Sequence, residues 1–197
     1  KDNTVVCRGD LSGSTRGFHG GSVFVDPSSV EERYKMIYLG IITDAEWDAF
    51  AAKYPDEVDT MARRPDVGGF RCVVAVFGAV SPDGLHWTSL PEPLMIQHAD
   101  TMNTCSYDVD SKRYVAYVRA WQVNERAAGY GANDSYVWIG VGRRSIGRSF
   151  SRDFRHFSKP EIVLATGADM APNRLFYTNG KTTLPGIPDN HLLFPWI

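Results

Sequence analysis

With 197 residues, 43% hydrophobic and 12% aromatic, the chain is long enough to bury a sizeable core, and no apolar run approaches membrane-spanning length. Its 21 basic and 23 acidic residues leave a formal net charge of −2, which argues against electrostatic capture of nucleic acid. Neither nucleic acid nor membrane is an expected partner.

Short apolar runs bounded by Gly, Pro, Asp and Ser dominate the chain from its start. Strands are expected at 4–8, 22–26 and 34–39, where Val, Ile, Tyr and Phe cluster. Arg8-Gly9-Asp10 matches a cell-adhesion tripeptide, but three residues recur by chance. Residues 44–53 form the one expected helix, with Asp44 as N-cap and Glu46 in the first turn. The helix lies in an insertion at about 41–70. Strands follow at 72–80, 104–107 and 114–119, then a second insertion at 121–135, then strands at 136–141, 146–150, 175–178 and 191–196. Insertions in repeat proteins commonly map to the binding face. Cys7, Cys72 and Cys105 show no metal-ligand or CxxC spacing, and Cys72 and Cys105 read as small core hydrophobes. Asn133-Asp134-Ser135 is a glycosylation sequon that matters only in a eukaryotic secretory setting. No P-loop, GxGxxG after a strand or heptad pattern is present, and no cofactor is implied.

The chain repeats itself. Ser81-Pro82-Asp83-Gly84-Leu85-His86-Trp87-Thr88 returns as Ser151-Arg152-Asp153-Phe154-Arg155-His156-Phe157-Ser158. Ahead of each copy, Val23-Phe24-Val25-Asp26 with Tyr34-Lys35-Met36-Ile37-Tyr38 matches Cys105-Ser106-Tyr107-Asp108 with Tyr114-Val115-Ala116-Tyr117-Val118. An all-strand unit used at least twice points to a solenoid or a propeller. Recurring residues build the unit. Asp26 with Asp108, Asp83 with Asp153, His86 with His156, and roughly Glu92 with Glu161 are read as construction rather than chemistry.

The segments HGGSVFVDPSSVEERYKMIY, GAVSPDGLHWTSLPEPL, HADTMNTCSYDVDSKRYVAYVRAW and IGRSFSRDFRHFSKPEIVL resemble five-bladed β-propeller proteins related to glycoside hydrolase families 43 and 32, across about 18–196. Ser-x-Asp-Gly-x-x-Trp is also similar to the Asp-box turn of sialidases, one residue shorter. The resemblance implies an all-β, five-bladed β-propeller in a single domain over 1–197. The chain would hold about two to three blades and be incomplete at its C-terminus. It also implies a carbohydrate-active site of carboxylates at the mouth of a central channel, with an oligosaccharide or polysaccharide as substrate.

In such a fold the non-repeated polar clusters before three first strands converge at the channel mouth. They are Phe18-His19-Gly20-Gly21, His98 to Asn103, and Asp169 to Arg174. Glycoside hydrolysis needs two carboxyl groups across the scissile bond, and Asp100 and Asp169 are the candidates. His19, His98, Asn103, Asn173 and Arg174 are placed to hold hydroxyls. Arg119 and Arg174 can clamp a carboxylate or sulfate on a sugar, while Trp121 and Tyr177 can stack on a pyranose ring. Gly20-Gly21 leaves the backbone open to close approach. His19, His98 and Asp100 lack diagnostic metal spacing. The rival readings are a non-catalytic glycan-binding or scaffold propeller, with aromatic, His and Arg groups at the mouth but no facing carboxylates, and a polysaccharide lyase. In a lyase His or Tyr would take the proton beside a uronate and Arg would neutralise its acid.

Overall fold

The computed structural model describes residues 19–58, 73–99, 101–122, 143–167, 169–171 and 174–197. The expected strands at 4–8 and 136–141, Cys7, Cys72, the Arg-Gly-Asp tripeptide, the sequon, Asp100 and Asn173 lie outside them.

The described chain is all-β with one helix. Two four-stranded antiparallel meanders are each ordered as their strands occur in sequence. The first is β1 (His19–Val25), β2 (Tyr34–Ile42), β3 (Val73–Ser81) and β4 (Thr88–Ser89). The second is β5 (Thr104–Asp108), β6 (Arg113–Gln122), β7 (Arg143–Ser151) and β8 (Glu161–Leu164). β9 (Thr178–Leu184) and β10 (Ile187–Trp196) form a hairpin. The first strands lie side by side, β1 against β5 and β5 against β9.

The sequence repeat is a structural repeat down to register. Tyr34 pairs with Ser81 in the first sheet as Tyr114 pairs with Ser151 in the second. In the first turn Asp83 Oδ1 accepts the Leu85 and His86 amides, both at 2.8 Å, and Ser81 Oγ accepts the Gly84 amide at 2.9 Å. In the second turn Asp153 Oδ1 accepts Arg155 N at 2.8 Å and His156 N at 3.3 Å, and Ser151 Oγ accepts Phe154 N at 3.1 Å. Asp26 and Asp108 do the same for the β1–β2 and β5–β6 turns, accepting amides at 2.8–3.1 Å. Short acceptor side chains hold these turns because they replace backbone partners. Both turns require left-handed backbone at one position. The first sheet places Gly84 there (φ 78°) and the second Phe154 (φ 58°).

The two histidines of the repeat do different work. His86 Nδ1 lies 2.6 Å from Asp83 Oδ2 and closes its own turn. His156 stacks on Tyr54 with ring centroids 3.8 Å apart, and its Nε2 lies 2.6 Å from Glu57 Oε2. The helix insertion thus recruits a repeat residue of the second sheet. His156 and Glu57 line a cavity of about 370 Å³ with Arg113, Arg152 and Phe150.

α1 spans Asp44–Lys53 as expected, but its N-cap is Thr43, not Asp44. Thr43 Oγ1 accepts the Glu46 amide at 3.2 Å, and Glu46 Oε2 accepts the Thr43 amide at 2.7 Å. This reciprocal pair needs a hydroxyl three residues before Glu, which only Thr43 provides. Thr43→Ala should lower stability by about 1 kcal/mol, read by denaturant unfolding.

The hairpin also departs from expectation. Residues 175–177 precede the strand, and β9 begins at Thr178. Its polar run Thr178-Asn179-Gly180-Lys181-Thr182-Thr183 carries no apolar alternation, so pairing with β10 decides its conformation. β4 and β8 are further strands that the apolar pattern did not mark.

β6 is buried along nearly its whole length because it is covered on both faces. Tyr114, Ala116 and Val118 join the larger core, which spans both four-stranded sheets and includes Ile37, Leu94, Phe154 and Phe157. Val115 and Tyr117 join a smaller cluster with Ile146, Phe176 and Leu193. A buried polar junction also joins the sheets. Tyr114 Oη donates to Asp26 Oδ2 at 2.5 Å, and Lys35 Nζ lies 3.0 Å from the same oxygen. Glu32 accepts from Lys35 at 3.3 Å and pairs with Arg155. Burial alone would raise the Asp26 carboxyl pKa. Hydrogen bonds from Ser28, Tyr114 and Lys35 outweigh that and hold it below the ordinary 3.8. Cys105 is a buried free thiol, and burial raises its pKa.

Candidate functional site

The pairing of β6 with β7 places Trp121 opposite Arg144 and Arg119 opposite Ile146. Directly paired residues share a sheet face, and so do residues two apart. Arg119, Trp121 and Arg144 therefore project together toward the β9–β10 hairpin. Tyr177, just before β9, closes over them. Arg119 Nη2 donates to the Tyr177 carbonyl at 2.6 Å, and the Arg119 guanidinium sits 4.8 Å from the centre of the Tyr177 ring. Arg144 lies 5.0 Å from the same ring and 5.7 Å from that of Trp121. The Arg144 carbonyl also accepts the Phe176 amide at 3.1 Å, which ties the segment before β9 to β7.

On the other side of Trp121, its Nε1 donates to the His98 carbonyl at 3.1 Å, and the two rings meet edge to face at 5.6 Å. Trp121, Arg144, Tyr177 and Arg119 thus form one series of alternating aromatic and cationic groups, with the His98 ring edge-on to Trp121. Cations over aromatic faces are stabilised by the ring quadrupole, more so away from water. Arg119 is only 1% exposed, whereas Tyr177 is 48% exposed. His98 at the other end is also 1% exposed, so the series reaches the surface at Tyr177.

Beside Tyr177 a cavity of about 500 Å³ is lined by Arg174, Leu175, Tyr177, Trp196 and Ile197. Trp196 is 71% exposed there, and its carbonyl accepts the Tyr177 amide at 2.7 Å. That bond fixes the two aromatic residues on neighbouring backbones. No carboxylate ion-pairs with Arg144 or Arg174 among the described residues. Further along the same seam Tyr117 Oη lies 2.9 Å from His191 Nδ1, and Lys181 Nζ donates to Ser106 Oγ. Burial lowers the Lys181 ammonium pKa, more than nearby Cys105 and Asp108 raise it.

The structure brings His98, Arg119, Trp121 and Tyr177 together, with Arg174 at the cavity. Asn103 is fully buried and serves the local backbone, its Nδ2 donating to the Ala99 carbonyl at 3.0 Å and its amide to Gly20 O at 3.2 Å. Gly20 has φ 59°, and a Cβ there would lie 2.0 Å from the Thr101 carbonyl oxygen. The first two polar clusters meet at this backbone contact. His19 opens β1, its backbone paired with Leu39. Asp169 lies in an exposed turn, its carboxylate folded over Gly167. Arg143, at the start of β7, holds that turn by donating to Thr166 Oγ1 at 3.2 Å and the Gly167 carbonyl at 3.1 Å.

Two site residues escaped the sequence reading. Arg144 lies in no polar cluster and is found only through its pairing with Trp121. The strand pattern marks Trp196 only as the last residue of 191–196, whereas its exposure makes it cavity wall. Among the described residues no group of His, Cys, Asp and Glu has the arrangement to hold a metal ion, and no helix is long and apolar enough to cross a membrane. Comparisons with protein-family models, with curated proteins and with solved structures found no match.

Proposed function

We propose that the two sheets and the hairpin are consecutive blades of a β-propeller, five-bladed by its resemblance, which binds saccharide where the second blade meets the third. The shared strand order, the shared turn chemistry and the adjacency of β1, β5 and β9 support the radial arrangement. The observation that carries the saccharide reading is the pair Tyr177 and Trp196, exposed side by side on a cavity that also holds Arg174. Aromatic faces stack on the C–H faces of pyranose rings, and an arginine supplies fixed donors for hydroxyl or acid oxygens. Cations and aromatics converge at this place, which favours glycan binding over hydrolysis by paired carboxylates. Hydrolysis would rest on Asp100 together with Asp169.

Calorimetric titration of the chain with a panel of oligosaccharides, followed by chromatography of the recovered sugar, tests this reading. We expect binding that Trp196→Ala weakens about tenfold or more, with the sugar recovered intact and Asp100→Asn binding as the parent does. Cleavage that Asp100→Asn abolishes would replace this reading with the hydrolase. Unaltered affinity in Trp196→Ala would remove the cavity from consideration.

A further inference from the structure

We infer that Ser106 and Lys181 form a nucleophile and base pair on the seam between the second sheet and the hairpin, with a carboxylic ester as substrate. The inference does not depend on the saccharide reading. Strand register sets the pair up. Ser106 on β5 stands opposite Val115 on β6, and Lys181 on β9 stands opposite Leu193 on β10. Directly paired residues share a sheet face. Val115 and Leu193 pack in the same apolar cluster, so the two faces meet there and carry the hydroxyl and the amine toward each other. Lys181 Nζ and Ser106 Oγ are joined by a hydrogen bond. Both residues are half-buried, partly withdrawn from water and still open to it.

A lysine acts as a base only once it sheds its proton near working pH, and burial is what brings that about. At Lys181 burial disfavours the charged form and outweighs the opposing pull of Cys105 and Asp108, so the ammonium titrates below its ordinary 10.5. Around it the seam carries Cys105 and Asp108 on β5, Tyr117 on β6 with Arg148 hydrogen-bonded to it from β7, and His191 on β10. Lys35 shows the contrast within the same chain. That buried lysine is held by the carboxylates of Asp26 and Glu32, as a structural cation is, whereas Lys181 is bonded to a neutral hydroxyl. The chemistry of the pair follows. Neutral Lys181 accepts the Ser106 proton as Oγ attacks the ester carbonyl carbon. The bond to the alkoxy oxygen then breaks, and Lys181 returns the proton to the departing alcohol. Water attacks the acyl-Ser106 ester with the same amine as base, which releases the acid and restores the hydroxyl. One ester and one water become one acid and one alcohol.

The test is labelling of the whole chain with a fluorophosphonate, mapped by mass spectrometry, alongside hydrolysis of p-nitrophenyl acetate. The phosphonyl group should settle on Ser106, and both reactions should quicken with pH as Lys181 deprotonates. Ser106→Ala should lose the label. Lys181→Met should slow both reactions about 100-fold or more, the scale of a general base. Lys181→Arg is the deciding variant, because a guanidinium keeps a donor for the hydroxyl but stays protonated. It preserves a structural tie and abolishes base catalysis, so it should fold, judged by circular dichroism, and be as slow as Lys181→Met. A parent chain that takes no label at Ser106 overturns the inference, and so does a Lys181→Arg variant as reactive as the parent. If neither lysine variant folds, the labelling site in the parent and its pH profile decide, a flat profile counting against the pair.

Discussion

Replacing Asp26 by Asn should lower the stability of the protein by about 3 kcal/mol, the range expected when one partner of a buried ion pair is removed. For a chain of this size that is a fall in Tm of about 6–12 °C. The carboxylate is 0% exposed and Lys35 is 1% exposed, so the ammonium stays desolvated when its counter-charge goes. Glu32 at 3.3 Å offers partial relief. Lys35→Met should cost less, because Asp26 keeps its bonds from Ser28 and Tyr114. The double variant should cost less than the sum of the singles, since each removes the group that the other leaves stranded. The same junction sets an acid limit. Asp26 has a folded pKa below its ordinary 3.8, so its contribution is complete above that pH and is lost as pH falls through the lowered folded value. Denaturant unfolding of parent and Asp26→Asn from pH 7 to pH 2 checks both points, and the two curves should approach each other only at the acid end. Parallel curves would overturn the assignment.

The second large effect is expected at Phe154, and its sign runs against habit. The side chain is 0% exposed and lies edge-on to Phe24 at 5.7 Å and to Phe157 at 6.0 Å, with Tyr114 at 5.2 Å. Truncation to Ala should cost about 3–5 kcal/mol, the toll for emptying a buried aromatic site. Glycine normally does worse than alanine in a core. Here it should do better by about 1 kcal/mol, because φ 58° strains any residue with a Cβ. The first sheet makes the point internally by using Gly84 at the same place. Denaturant unfolding of Phe154→Gly and Phe154→Ala decides it, and a less stable glycine variant would refute the strain argument.

Much of the scaffold was legible because turn chemistry is local. Ser81 and Asp83, and Ser151 and Asp153, satisfy amides within five residues, so their recurrence translated directly into recurring sheets. The helix was legible for the same reason, down to both ends. Its cap was misassigned because Asp44 and Thr43 are both good caps by type, and only the distance to Glu46 separates them. β9 was missed because its residues are polar and its conformation is imposed by β10, a non-local cause that composition does not carry. The site divides likewise. Arg119 and Trp121 stand two apart on one strand, so their shared face could be read. Arg144 reaches them only through a strand pairing that spans the insertion after Gln122, and Trp196 matters through exposure, which a strand pattern does not report.

The larger core has an implication for the origin of the repeat. Phe154 and Phe157 belong to the second sheet but are buried with the first, and Tyr114 reaches back to Asp26. Cut apart, one half would strand a lysine without its full cage and the other would bare a cluster of rings. Each copy draws part of its packing from the other. If the pattern arose by duplication, a single unit would have buried these faces against an identical partner, a contact that fusion then wrote into one chain.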